Sequence, residues 1–113
     1  MKFGILIPIL FGFLLSGCND RTVDSNLTPE QKVLLEKGKT IYLTYCIACH
    51  NMDPHLAGST GPDLHGSSLE LVTARVLRTE YPPGYKPKRT TQQMAPFEDL
   101  KDDIPAIHAF LNQ

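Results

Sequence analysis

Cys46-Ile47-Ala48-Cys49-His50 constrains this chain more than any other stretch of it. Two thiols three positions apart can each bond one vinyl arm of a single porphyrin, while the histidine that follows faces the iron. This is the attachment pattern of a c-type haem. The competing uses of a C-x-x-C pair each lack something. A thioredoxin-like redox pair needs a strand-helix-strand setting, and the chain has almost no alternating β-branched runs. A structural zinc site needs a second ligand pair, and no cysteine follows Cys49. With Cys46 and Cys49 bonded to the rim of a porphyrin and His50 to its iron, the remaining residues have to close around that group.

The length of 113 residues leaves room for one small domain and a short leader. A domain of that size often needs a staple, and a bonded apolar group can serve as one. Eleven Lys and Arg stand against twelve Asp and Glu, a formal net charge of −1, so no strong field is available to attract nucleic acid. Lys2, the apolar run from Phe3 to Leu15 and the small residues of Leu15-Ser16-Gly17-Cys18 read as an export signal rather than as part of the fold. The stretch resembles a bacterial lipoprotein signal. That resemblance implies cleavage before Cys18 and acylation of Cys18, with the mature protein held by lipid to the periplasmic face of an inner or outer membrane. Residues 1–17 are then the signal, residues 18–27 a polar, aperiodic tether, and residues 28–113 the domain. The odd cysteine count follows, with two thiols going to haem, one to lipid and none to a disulfide.

Within the domain, Thr28-Pro29-Glu30-Gln31 carries an N-cap, a proline at the first helical position and a capping box, which predicts a helix to about Tyr45. Leu34, Leu35, Ile41, Tyr42 and Tyr45 mostly fall at helical spacing along it, and Gly38 in its middle suggests close approach by another element. Residues 51–66 read as loop. A second helix is predicted from Ser67-Ser68-Leu69-Glu70 to about Thr79, with Ser67 and Glu70 as its capping box and Leu69, Val72 and Val76 on one side. Tyr81 to Phe97 holds four prolines and no acid, and reads as an ordered loop. A last helix is expected from about Asp103 to Asn112, with Asp102 and Asp103 at the positive end of its dipole and Ile104, Ile107, Phe110 and Leu111 on its apolar face. The fold class is therefore all-α, three to four short helices around one covalent haem.

The sixth position on the iron takes Met94 as its candidate. It lies beyond the second helix in a loop stiffened by Pro87 and Pro96, and a soft thioether favours ferrous iron. Met52 follows His50 too closely to reach the other face of the ring. His55 and His65 read as surface or loop histidines, and His108 as an exposed residue of the last helix.

Gly61-Pro62-Asp63-Leu64-His65-Gly66 is similar to the G-P-x-L-x-G segment of class I c-type cytochromes, at that family's distance after the haem histidine. Together with C-x-x-C-H, the chain from Thr28 to Gln113 resembles that family, the small monohaem electron carriers. The resemblance implies that the Pro62 carbonyl accepts a hydrogen bond from His50, and that Gly38 lets the first and last helices cross with Tyr42 and Phe110 at the crossing. The family's Met is often followed directly by Pro, whereas Ala95 intervenes here. There is no Trp to set against the haem propionates, which leaves Arg78, Tyr81, Tyr85 or Lys86 for that work. The function expected is one-electron transfer to redox proteins with no substrate bond made or broken; the alternatives are a haem enzyme or gas sensor with a displaceable sixth ligand, or a subunit of an oxidase or dehydrogenase. Arg75, Arg78, Lys86, Lys88 and Arg89 against the single Glu80 form a basic stretch expected to rim the haem edge and meet an acidic partner.

Overall fold

The computed structural model describes residues 25–91 and 93–113. The leader and the lipidation candidate Cys18 lie outside the described residues. Helix α1 spans Pro29–Tyr45, α2 spans Leu69–Arg78, a 3-10 helix spans Glu98–Asp103 and α3 spans Ile104–Leu111. No strand occurs among the described residues, and the domain is all-α.

Helix α1 begins where local chemistry says it should. The Thr28 hydroxyl accepts from the Gln31 N–H at 3.2 Å and the Gln31 side chain accepts from the Thr28 N–H at 2.8 Å, so two otherwise orphaned donors are satisfied reciprocally. Its C-cap is Cys46, which places the haem-attachment motif on the turn that leaves the helix. Helix α2 starts one residue later than its sequence pattern suggests. Ser68, not Ser67, is the N-cap and accepts from the Leu71 N–H at 3.2 Å. The Ser67 hydroxyl is already committed, donating to the Leu64 carbonyl at 2.6 Å to close the preceding turn. Thr79 ends α2 in the left-handed region at φ 57°, and the Glu80 N–H bonds the Ala74 carbonyl at 3.1 Å.

The 3-10 helix is a feature that periodicity does not announce, because it buries only Leu100 among four acids and a lysine. Asp103 then serves α3 differently from the expected capping role. Its side chain makes no cap bond but pairs with Lys37 of α1 at 2.6 Å, tying the two helices together.

Helices α1 and α3 cross at Gly38. A Cβ there would stand 1.9 Å from the Ala106 carbonyl oxygen, so only glycine permits this approach. At the same crossing Tyr42 and Phe110 pack with ring centroids 5.1 Å apart. Val72 and Val76 of α2 join Leu100, Ile104, Ile107 and Leu111 to complete the core. Leu34, Tyr45 and Leu69, each on an apolar stripe in the sequence, are exposed instead. Tyr45 borders the cavity described next.

Candidate functional site

Residues 46–50 form one tight turn, in which the Cys49 and His50 N–H groups both reach the Cys46 carbonyl, at 3.2 and 2.9 Å. The turn presents Cys46, Cys49 and His50 to one cavity of about 280 Å³. Val72, Val76, Ile107 and Leu111 give that cavity apolar walls, and Met94, Tyr45 and Phe97 also border it. Burial pushes the Cys46 thiol up to about 11, and the two cysteines are not bridged to each other.

The segment after the motif is folded back onto it. Thr60 and Gly61 donate to the Cys49 carbonyl at 3.2 and 2.8 Å, and the Gly58 N–H bonds the Gly61 carbonyl at 2.9 Å. Gly61 lies flat against the imidazole, where an added Cβ would come within 2.3 to 2.8 Å of three ring atoms of His50. Gly58 has the same need against the backbone of Cys49 and His50. This close packing brings the Pro62 carbonyl to 3.0 Å from His50 Nδ1. Since a carbonyl can only accept, Nδ1 carries the proton and the Nε2 lone pair is left for a metal. Burial lowers the His50 pKa from its ordinary value; the Pro62 hydrogen bond opposes that shift, and Arg89 and Arg75 reinforce it. The ring is therefore neutral at neutral pH, the form in which imidazole ligates iron. Tyr42 steadies the loop from the other side, its hydroxyl donating to the Asn51 carbonyl at 2.6 Å, and burial pushes this phenol up to about 12.

Cys46, Cys49, His50, Pro62 and Met94 thus come together around one apolar space. Met52, His55, His65 and His108 do not line it. Met52 is exposed, and the His55 and His65 rings stack on each other at 3.9 Å.

The Cytochrome c family model matches residues 35–113. The chain belongs to the cytochrome c family. Searches of curated proteins and of solved structures gave no match. Membership brings covalent haem c with its iron and the role of electron carrier. The residues of this cytochrome fit that group. Two thiols stand at the cavity, a neutral imidazole has its free lone pair available, and apolar walls would contact the porphyrin.

The polar edge of the cavity differs from its sequence reading. Tyr81 and Tyr85 border it, stacked at 5.4 Å, but Arg78 is exposed and bonded to Glu80, and Lys86 lies outside the lining. Arg75, Lys88 and Arg89 line it instead, and the Arg75 guanidinium sits 4.2 Å over the Tyr81 ring. The sequence held a signal for Arg75, which stands one helical turn beyond Leu71 and Val72, at i+4 and i+3, and so borders the face that they present. Within the basic stretch, Arg75, Arg78, Lys88 and Arg89 each make a contact inside the chain.

Proposed function

We propose that this cytochrome is a lipid-tethered one-electron carrier on the periplasmic face of a bacterial membrane, with His50 and Met94 as the two axial ligands and no substrate chemistry of its own. One observation carries the ligand choice. Met94 is half-buried against the core and borders the cavity that His50 borders, whereas the competing methionine and histidines do not. The haem iron supplies the one-electron couple, and a thioether beside an imidazole raises its potential by favouring the ferrous state. The protein contributes fixed donors. His50 is held by Pro62 and Gly61, and Met94 by a loop whose far end is anchored by the Phe97 N–H on the Val76 carbonyl at 2.7 Å. Donors that stay in place in both oxidation states keep reorganisation small.

Arg75, braced on Tyr81 and next to Tyr85, gives the cavity edge a cation and two phenols suited to the haem carboxylates. Lys86, exposed on the same loop, contributes to a rim for an acidic redox partner; added salt should then slow electron transfer between the two, and a rate indifferent to salt would remove the charge from docking. The tether in this reading is a lipid on Cys18, which closes the apolar run from Phe3 to Leu15. Mass spectrometry of the native protein should find acylated Cys18 at its N-terminus, and a mature form starting elsewhere would replace the lipid with an ordinary signal.

The ligand assignment is tested by Met94→Ala. The oxidised variant should lose the weak far-red sulfur-to-iron band and show a lower potential. Retention of both would exclude Met94.

A further inference from the structure

The loop that carries Met94 is fastened to the segment that cradles His50 by side chains at the polar edge of the same cavity. Lys88 Nζ donates to the Asp63 carboxylate at 2.6 Å and to the Asp63 backbone carbonyl at 3.1 Å. Next to it, Arg89 donates to the Gly58 carbonyl at 3.2 Å, and the Thr91 hydroxyl reaches the Thr60 carbonyl at 3.5 Å. These contacts span 25 to 31 residues of sequence. The receiving segment is the one that positions His50, through Gly61 against the ring and Pro62 on Nδ1. Met94 is thus clamped on both sides. Upstream lies Arg89, from which five residues of chain reach at most about 17 Å. Downstream lies Phe97, bonded to Val76 and packed 5.7 Å from the Tyr45 ring.

We infer that Lys88 and Arg89 are positioning residues for the sixth ligand: they strap the Met94 loop to the Gly58–Asp63 segment, so that the polypeptide, not the iron alone, sets the separation of the two ligand-bearing segments. The inference rests on Met94 being that ligand. Both partners of the Lys88–Asp63 pair are about two-fifths exposed, and an isolated pair so placed adds little to global stability. Its effect falls on a local opening instead, in which the loop lifts while the helices stay folded. Lys88 grips Asp63 at two acceptors, and its hydrogen bond is the largest influence holding the Asp63 carboxyl below its ordinary range. Releasing the strap raises the small population in which Met94 has left the iron.

Imidazole competes for the vacated position, and its apparent affinity rises in proportion to the open fraction. Titration of the oxidised holoprotein, read by loss of the far-red band, therefore measures the strap directly. Lys88→Gln and Asp63→Asn should each raise imidazole affinity roughly threefold, and Lys88→Gln with Arg89→Gln roughly tenfold. Lys88→Gln combined with Asp63→Asn should do no more than either alone, because both remove one contact. Lys88→Arg should restore the parent value, and Lys86→Gln, a charge lost from the same loop outside the strap, should leave it unchanged. Parent affinity in Lys88→Gln and Asp63→Asn overturns the inference, as does an equal rise in Lys86→Gln. A parent protein with no far-red band would instead remove Met94 as ligand and the strap with it, so the two failures are told apart.

Discussion

Replacing Cys46 and Cys49 together by alanine is expected to give a colourless chain without the native fold. The cavity between α1, α2 and the 79–97 loop measures about 280 Å³ and is walled by core residues, including Tyr42, Val72, Val76, Ile107 and Leu111. The whole net stability of a small domain is about 5 to 15 kcal/mol, so losing the group that covers these apolar walls removes a large part of it. The remaining core consists of a few short helices, and α3 runs only from Ile104 to Leu111. Circular dichroism should show loss of most helical signal in the variant, and acidic organic extraction should leave haem on the parent chain but on none of the variant. A folded, colourless variant of parent stability would show that the helices hold without the group.

The second large effect is expected at Gly38. A methyl group there would lie 1.9 Å from the Ala106 oxygen, 2.5 Å from its carbonyl carbon and 3.1 Å from the Phe110 Cβ. Two of these atoms are backbone, so no rotamer change relieves the clash and α1 must move away from α3. Overpacking of this kind costs about 3 kcal/mol or more. For a domain of this size that lowers the melting temperature by roughly 12 to 24 °C. Gly84→Ala is the useful contrast: its Cβ meets nothing within 4 Å, and the cost is only that of its positive φ of 78°, about 1 to 2 kcal/mol. Thermal unfolding of the two holoproteins should separate them clearly. If Gly38→Ala melts with the parent, the crossing is looser than the geometry requires.

Much of this was legible in the residues because the signals are local. The Thr28–Gln31 capping box and the C-x-x-C-H turn at the end of α1 involve residues a few positions apart, and the chain realises them as written. Gly38 in mid-helix suggests a close approach by itself, but the crossing with the last helix and the contact of His50 with Pro62 are longer-range and come only from resemblance to a family. What the sequence concealed has physical causes. Ser67 and Ser68 are equally good caps on paper, and the choice fell to Ser68 because the Leu64 carbonyl claims the other hydroxyl. The 3-10 helix from Glu98 to Asp103 carries one buried side chain and so leaves no period to detect. Tyr45 breaks the apolar stripe of α1 by remaining partly exposed, yet it belongs to the haem cavity and not to the helix-helix interface. Lys88 and Asp63 are 25 residues apart, and no pattern along the chain announces a pair closed only by the meeting of two loops.

The most direct test of the central claim, a His50/Met94 cytochrome that moves single electrons, is the absorption spectrum of the oxidised and reduced protein with carbon monoxide added to the latter. A low-spin spectrum in both states, a far-red band in the oxidised one and a reduced form that binds carbon monoxide slowly or not at all are the predicted results. A high-spin spectrum with rapid carbon monoxide binding would contradict the account and point to a haem whose sixth position is kept open for a ligand.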